Sequence, residues 1–206
     1  MADPPGDAAI VDDREEPEAT RARLIGALAD LIDDRGYAAS AVVDIVRVAR
    51  ASKRTFYDHF ANKQECFLAL QQSATDDLIA AIRTAVDENA HWHDQVRQAI
   101  TAYINSIHAR PAIALSWIRD LPALGEVARP VQRRNFAELT AMLLQLSANP
   151  GFRRGHVAPI TAAAATIVLG GLRELVAQQV EDEGDLHAVI EPAADVVIAL
   201  LGRPTR

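Results

Sequence analysis

Side chains that could bind a nucleic acid are concentrated in one short segment, where Lys53, Arg54 and Tyr57 supply long hydrogen-bond donors. Lys53 and Tyr57 are four residues apart, so they share one side of a helix, and Arg54 lies beside them. Phe56 and Phe60 are also one turn apart and form a second, apolar side. A helix with one side anchored in a core and another bearing such donors suits the major groove of DNA.

The residues around this segment predict the element that positions it. A short helix that begins at Ser40 or Ala41, a brief break and a second short helix capped by Ser52 occupy about residues 40–60. Ile45 and Ala49 are apolar or small where the two helices would cross. This arrangement is typical of a helix-turn-helix.

The charge of the chain is uneven. Its 206 residues carry 21 Lys and Arg against 28 Asp and Glu, a formal net charge of −7, which by itself opposes binding to nucleic acid. Residues 40–63 nevertheless hold five basic side chains against two acidic ones, and both lysines of the chain lie there. Because phosphates respond to the local field, this window can bind DNA within an acidic protein.

Composition excludes several classes of protein. Half of the chain is apolar and only 5% is aromatic, with alanine the commonest residue, which favours an all-α fold. A single cysteine, Cys66, excludes an intrachain disulfide and a Cys-rich metal site. The chain has no apolar run of about 18 residues and no secretion signal, so we expect a cytoplasmic protein without a membrane span.

Helical periodicity predicts about nine helices. Residues 1–17 are acidic and Pro-rich and are predicted to be a disordered tail. A first helix follows from an N-cap at Thr20 to Gly36, and a capping box from Asn62 to Glu65 starts the fourth helix. Later helices are predicted at about 95–109, 111–117, 127–146 and 159–180, followed by a last helix that starts near Leu186 or at Pro192.

Residues 18–70 resemble the tetracycline-repressor (TetR) family of transcriptional regulators. The resemblance rests on Arg35-Gly36-Tyr37, on Asp44-Ile45, on the run SKRTFYDHF at 52–60 and on Asn62-Lys63, all in the family's order and spacing. The later part is similar only in helix count and in the stretch LGGLREL at 169–175. The resemblance implies a DNA-binding domain of three helices at 18–66 and a helical effector-binding and dimerisation domain at 67–202.

Two residues depart from the family's pattern. Arg50 stands in the turn where the family usually has Gly, so we expect Arg50 in a left-handed or otherwise unfavourable backbone conformation. Ala41 stands where Ser or Thr is usual, and Ser40 is expected to replace the missing hydroxyl, either as a helix cap or at a phosphate.

The resemblance also implies roles for individual residues at DNA. Lys53 and Arg54 are predicted to reach base edges, while Tyr57 and Lys63 meet phosphates. The imidazole of His59 either donates to a phosphate or caps the end of its helix. The predicted DNA-binding residues are Ser40, Ser52, Lys53, Arg54, Thr55, Tyr57, His59 and Lys63.

Large apolar side chains of the second domain are candidates for a ligand cavity. Tyr103, Trp117, Phe136 and Met142 are expected to line a site for an apolar or aromatic effector, although each residue would equally suit an ordinary core. Cys66 is either a redox-sensitive thiol or a packed core residue, and the core is favoured. His91 and His93 are two residues apart and do not converge on a metal ion, so neither a metal nor a cofactor is expected.

Dimerisation is predicted through residues 159–180 and 192–201. These segments carry more apolar surface than one thin domain can cover, and the pair Gly170-Gly171 would allow two helices to approach closely. The apolar residues assigned to that interface are Val168, Leu169, Leu172, Val176, Val196, Val197 and Leu200.

These features favour a homodimeric transcriptional regulator, a repressor released from a palindromic double-stranded DNA operator by a small effector. The alternatives are a small all-α enzyme or ligand carrier, and an interaction protein without an effector-controlled operator. An enzyme is disfavoured because the sequence has no Ser/His/Asp or Cys/His grouping, phosphate-binding loop or metal-ligand set.

Overall fold

The computed structural model describes residues 15–202, and all regular structure in that range is helical, as predicted. Residues 1–14 of the predicted acidic tail lie outside this range. The described helices are α1 (Glu15–Ala39), α2 (Val42–Val48), α3 (Lys53–His59), α4 (Lys63–Ala85), α5 (Trp92–Ala109), α6 (Pro111–Ala123), α7 (Arg129–Leu146), α8 (Pro150–Arg154), α9 (Ala162–Glu181) and α10 (Ile190–Leu201). None of them is both long and apolar enough to cross a membrane.

The first helix differs from the prediction at its start. It begins at Glu15, so Thr20 lies inside α1 and is not its N-cap. The break at Gly36 is confirmed, because this glycine has φ 82° and ψ 162° and interrupts the helical backbone. Only glycine adopts such a conformation readily. The last turn of α1, from Tyr37, is thereby redirected towards α2.

A short helix, α8, lies between the helices predicted at about 127–146 and 159–180, where the sequence predicts no helix. It is held by contacts distant in sequence: the Gly151 amide donates to the Glu88 carbonyl at 3.1 Å, and the side-chain amide of the N-cap residue Asn149 donates to the Gln95 side chain at 2.9 Å. A side chain at Gly151 would collide with the Ala90 carbonyl and with Gln95. Glycine is required here for close approach, and local sequence patterns do not reveal that requirement.

The last helix starts between the two predicted positions. A 3-10 turn at Leu186–Val189 leads into α10, which begins at Ile190. Pro192 therefore lies in the first turn, where its missing N–H removes no intrahelical hydrogen bond.

Helix α4 connects the two halves of the molecule. Its first half packs with α1, α2 and α3 around a core in which Phe67 and Cys66 are fully buried. Leu78 and Ile82, in its second half, pack against α5 and α7 in a separate cluster. A third cluster joins α5, α6, α9 and α10. Helix α4 is thus part of both the core of the helix-turn-helix and the core of the later helices.

Candidate DNA interface and ligand cavities

Helix α3 is anchored as the sequence predicts. Phe56 and Phe60 are buried, with their ring centroids 5.6 Å apart, in the same cluster as Ile45 of α2. Ser52 is the N-cap, and its Oγ accepts a hydrogen bond from the Thr55 amide at 2.9 Å. Burial of the two rings fixes the rotation of α3 about its axis and therefore decides which side chains face solvent.

The opposite side of α3 presents a cationic surface. Lys53 and Arg54 are exposed to solvent, and Tyr57 retains 56% of its accessible surface. The Tyr57 ring meets Phe56 edge-on at 5.4 Å, so the phenol is held away from the core. Within the described residues, neither Lys53 nor Arg54 forms an ion pair. Their charges are available to an external anion.

The turn between α2 and α3 confirms the expectation for Arg50. Its φ is +51°, in the left-handed region, and its side chain is exposed. The Ala51 amide donates to the Val46 carbonyl at 2.9 Å and closes the turn behind it. Arg50 therefore carries the steric strain that glycine would avoid.

The expected role of Ser40 is wrong. Ser40 is buried, and its hydroxyl donates to the Gly36 carbonyl at 2.9 Å, so it neither caps α2 nor faces a phosphate. Ala41 is the N-cap residue, and the Asp44 carboxylate accepts from the Ala41 amide at 3.3 Å. A hydrogen bond from Arg47 at 3.2 Å holds the pKa of Asp44 below its usual value. The Asp44 carboxylate thus satisfies the amide of the N-cap residue, whereas Ala41 has no side-chain oxygen to accept from the first turn of α2.

Lys63 is engaged inside the protein, in contrast to the exposed position expected of a phosphate ligand. Its Nζ donates to the Tyr37 carbonyl at 3.0 Å and to the Ser40 carbonyl at 2.8 Å. It also lies 4.1 Å from the centroid of the Tyr37 ring, a cation–π contact. Burial lowers the pKa of Lys63. We call this set of contacts the Lys63 clamp; it joins the start of α4 to the end of α1.

Thr55 and His59 occupy intermediate positions on α3. The Thr55 hydroxyl lies 2.8 Å from the Ser52 hydroxyl, so the two share a hydrogen bond at the start of the helix. His59 is half-buried at the last position, and no hydrogen bond from its imidazole to a helix-end carbonyl occurs in the described part of the chain. A phosphate contact for these residues stays a prediction.

Two apolar cavities, each of about 80 Å³, lie in the second domain. Cavity A lies between α4, α5, α7, α9 and α10, and Gln95, Tyr103 and Ser147 are its polar lining residues. Cavity B lies between α4, α5, α6, α7 and α9. Tyr103, Leu139 and Leu169 line both cavities and therefore form the wall between them.

The four predicted effector residues are brought together at these cavities. Trp117 and Phe136 line cavity B, Met142 lines cavity A, and Tyr103 belongs to the shared wall. Burial raises the pKa of the Tyr103 hydroxyl, so this group is a neutral donor at physiological pH. Whether these residues hold an effector stays a prediction.

Arg173 of α9 is a cavity residue that sequence reasoning missed. It lines cavity B, and its guanidinium donates to the Ile118 carbonyl at 3.0 Å. Its position in an Ala-rich helix gives no local signal, because the cavity is built from five helices. Its neighbour Glu174 pairs instead with Arg119, so the nearest carboxylate along α9 is occupied.

Cys66 and His91, which the sequence analysis considered for redox or metal chemistry, have structural roles in the fold. Cys66 is fully buried, and burial raises the pKa of its thiol to about 12, so it is a packed core residue. The Nδ1 of His91 accepts from the His93 amide at 3.3 Å and caps α5. Across residues 15–202 no group of three or more potential metal-ligating side chains converges.

The set of residues predicted to form the dimer interface is partly wrong. Leu169, Leu172, Val176 and Val197 are buried within the protomer, and Val168 is half-buried at cavity A. The apolar side chains that α9 and α10 expose are Ile167, Leu175 and Val196. A Cβ built at Gly170 or Gly171 would meet no atom within 4 Å. The glycine pair is thus not required by packing inside the described protomer.

Arg110 joins the two domains at the junction of α5 and α6. Its guanidinium lies 2.8 Å from Asp30 and 2.6 Å from Asp33, both on α1. The same residue caps the end of α5 and the start of α6. The junction of α5 and α6, beside cavity B, is therefore in direct contact with the first helix of the DNA-binding domain.

Comparison with known proteins agrees with this arrangement. Residues 24–70 match the model of bacterial regulatory proteins of the tetR family. Over 154 residues the chain is 27% identical to the HTH-type transcriptional activator FasR of Mycolicibacterium smegmatis, covering 74% of this chain and 70% of FasR. Over 81 residues it is 30% identical to the HTH-type transcriptional repressor SCO4008 of Streptomyces coelicolor, covering 39% of this chain and 42% of the repressor.

Solved structures extend the likeness to the whole fold. The transcriptional regulator FadR of Bacillus subtilis, in complex with stearoyl-CoA, superposes with a TM-score of 0.75 at 18% identity, covering 86% of this chain and 97% of FadR. The fatty acid degradation regulator FadR of Bacillus halodurans gives a TM-score of 0.71 at 20% identity, covering 86% and 94% of the two chains. At these identities the likeness establishes the fold of both domains.

Proposed function

We propose that this chain is a transcriptional regulator of the tetR type, a dimeric repressor that an effector releases from a palindromic operator. It regulates transcription and is not an enzyme. The exposed cationic side of α3, anchored from behind by Phe56 and Phe60, is the observation that carries the proposal.

At the operator, α3 enters the major groove. Lys53 and Arg54 reach base edges, and a guanidinium such as that of Arg54 can donate two hydrogen bonds to one guanine. Tyr57 meets a phosphate beside the groove. In the dimer two copies of α3 meet successive major grooves, about 34–36 Å apart, so the operator is palindromic.

The effector occupies the cavities of the second domain. Leu78 lines cavity B and Ile82 lines cavity A, so a bound ligand contacts α4 directly. The stearoyl-CoA complex of the FadR of Bacillus subtilis supports an effector with an apolar chain. FasR is named an activator and SCO4008 a repressor. We choose the repressor because displacement of α4 by a ligand would disturb a helix-turn-helix already set for binding.

Selection of binding sites from a randomised DNA duplex library tests the proposal. We expect an enriched inverted repeat whose half-sites are centred about one helical turn apart, bound by two protomers. Fluorescence anisotropy then measures operator affinity against salt. A ligand carrier, the competing function that the cavities suggest, would select no DNA sequence.

Arg54→Ala separates base recognition from simple charge. We expect it to weaken operator binding by about 1–3 kcal/mol and to relax the preference at one operator position. Arg133→Ala is the matched control, because Arg133 is an exposed cation on α7, away from α3. Equal losses on operator and random DNA after Arg54→Ala would show that Arg54 contacts only the backbone.

A further inference from the structure

Cavity B differs from an ordinary apolar pocket in holding a cation. Arg173 lies on its wall beside aromatic residues, Trp117 and Phe136 among them. A guanidinium has five N–H groups, and among the described residues that of Arg173 donates one hydrogen bond, to the Ile118 carbonyl at 3.0 Å. In the part of the chain that the structure describes, no carboxylate lies within ion-pair distance of Arg173. A cation on an apolar wall without an internal counter-charge is adapted to an external anion.

Two further donors face the same space. The hydroxyl of Tyr103 forms no hydrogen bond with the described residues, and it is a neutral donor at neutral pH because burial raises its pKa further above the ordinary value. The amide side chain of Gln132 lies on the α7 side of the cavity. A planar guanidinium with neutral donors nearby matches the two oxygens of a carboxylate, which Arg binds in bidentate fashion.

We propose that the effector is an amphipathic carboxylate, with its head group bound by Arg173 in cavity B and its apolar chain directed past Tyr103 into cavity A. Only the regulatory role of this ligand rests on the proposed function. The binding site itself is defined by the cavities of this protein. The chain crosses the wall that Tyr103, Leu139 and Leu169 form between the cavities. Displacement of the Tyr103 ring joins the two spaces into one channel.

Cavity A suits the end of an apolar chain. Its walls are supplied by Ile82, Met142, Phe152 and Leu172 together with other aliphatic side chains, and its polar lining residues are few. Gln95, one of these, is occupied by the Glu88 and Ala90 carbonyls. Each methylene buried there stabilises binding by roughly a fourfold increase in affinity.

Isothermal titration calorimetry of the free protein tests the head group. Decanoate, decanol and decylamine share one chain length and differ in charge. We expect decanoate to bind about 10- to 100-fold more tightly than decanol, and decylamine more weakly than either, because a charge-assisted hydrogen bond contributes on that scale. Equal affinities for decanoate and decanol would overturn the proposal without any variant being made.

Arg173→Gln locates the effect in the cavity. It should remove most of the preference for decanoate and leave decanol binding within about twofold. Arg133→Gln, the same change of charge on the outside of α7, should leave both affinities unaltered. A change in tryptophan fluorescence on addition of decanoate that is absent from a Trp117→Phe variant, which keeps only Trp92, reports binding in cavity B. An unchanged decanoate affinity in Arg173→Gln would refute the assigned anchor.

Two more ligands settle the chain and the head group. Hexanoate should bind more than about 10-fold more weakly than decanoate, since it leaves cavity A empty. Decanoyl-CoA carries its anionic groups far from the acyl chain. If it binds more tightly than decanoate, the proposal that the head group is a free carboxylate is wrong. All these measurements are made without DNA. A protein that binds decanoate and selects no operator would refute the proposed function and leave this inference standing.

Discussion

The left-handed backbone of Arg50 is a local source of instability. At φ +51° its Cβ is crowded by its own backbone, a penalty of about 1–2 kcal/mol for a residue other than glycine. Arg50→Gly should raise the free energy of unfolding by about 0.5–1 kcal/mol, because glycine's greater freedom in the unfolded chain offsets part of the gain. Urea denaturation measures the difference.

The matched control lies three residues earlier. Arg47 is in the ordinary helical backbone of α2, so Arg47→Gly should lower stability by about 1 kcal/mol. If both substitutions destabilise the protein equally, the turn is not strained at Arg50.

The Lys63 clamp predicts a separation between stability and DNA binding. Lys63→Met keeps the aliphatic stem but leaves the Tyr37 and Ser40 carbonyls without their donor, so we expect a loss of about 1–3 kcal/mol in unfolding free energy. Lys53→Met, on the exposed side of α3, should change stability by less than about 0.5 kcal/mol. It should instead weaken operator binding by about 1–3 kcal/mol and relax the preference at one operator position, as expected of a side chain that reaches a base edge.

A reversed pattern, with Lys63→Met stable but defective at DNA, would restore Lys63 as a simple phosphate ligand. Thermal unfolding and anisotropy titrations on the same two preparations distinguish these outcomes.

At the scale of elements, the junction of α5 and α6 is the place to test communication between domains. Arg110→Gln breaks the ion pairs to Asp30 and Asp33 on α1. Exposed pairs contribute at most about 1 kcal/mol, so folding should be almost unaffected. We expect the variant to keep its affinity for the effector. The loss of operator affinity that the effector causes, typically about 5- to 150-fold or about 1–3 kcal/mol in such proteins, should become much smaller.

Arg97 provides a control with nearly the same exposure and number of partners. Its ion pairs, to Glu191 and Asp195, join α5 to α10 within the second domain. Arg97→Gln should therefore leave the allosteric response intact. A full response in Arg110→Gln would show that coupling passes through α4 alone.

The sequence predicts those elements whose signals are local. Ser52 and Asn62 both cap their helices through a residue three positions away, at 2.9 Å in each case, as the sequence pattern indicates. The Lys63 clamp and the position of Ser40 escape prediction, because they depend on how α1 ends and on carbonyls 23 and 26 residues away. Arg173 escapes for the same reason. Arg173 becomes a candidate binding residue only because several helices come together to form cavity B.

At the scale of the whole molecule, the exposed surface of α9 and α10 predicts a dimer. Ile167, Leu175 and Val196 retain 67%, 43% and 68% of their accessible surface, and the Gly170-Gly171 pair of α9 faces open space. Exposed apolar side chains beside two helix-weakening glycines are explained by a close crossing with a second copy. This surface differs from the predicted one, since four of its expected residues are buried in the protomer.

Ile167→Asp and Val196→Asp should each convert the dimer to a monomer, because a carboxylate would be buried without a partner. Light scattering at micromolar concentration measures the mass. Val127→Asp places the same charge on another exposed valine, at 55%, outside α9 and α10, and should leave the mass unchanged. A monomeric wild-type protein would refute the interface outright.

Gly171→Leu gives an independent reading of the same surface. In an isolated protomer this change should stabilise α9 by roughly 1 kcal/mol, since glycine weakens a helix and no described atom blocks the new side chain. In a dimer the leucine would separate the two helices. Loss of mass together with a more stable monomer would confirm the interface.

The Lys63 clamp has a practical consequence for chemical labelling. The chain contains two lysines, and the ammonium of Lys63 is already engaged with two carbonyls and the Tyr37 ring. Lys53 projects from the exposed side of α3. An acylating reagent used at mild alkaline pH should therefore modify Lys53 well before Lys63, as peptide mass mapping would record. A dye attached in this way sits on the proposed recognition helix, and operator DNA should shield that lysine from the reagent.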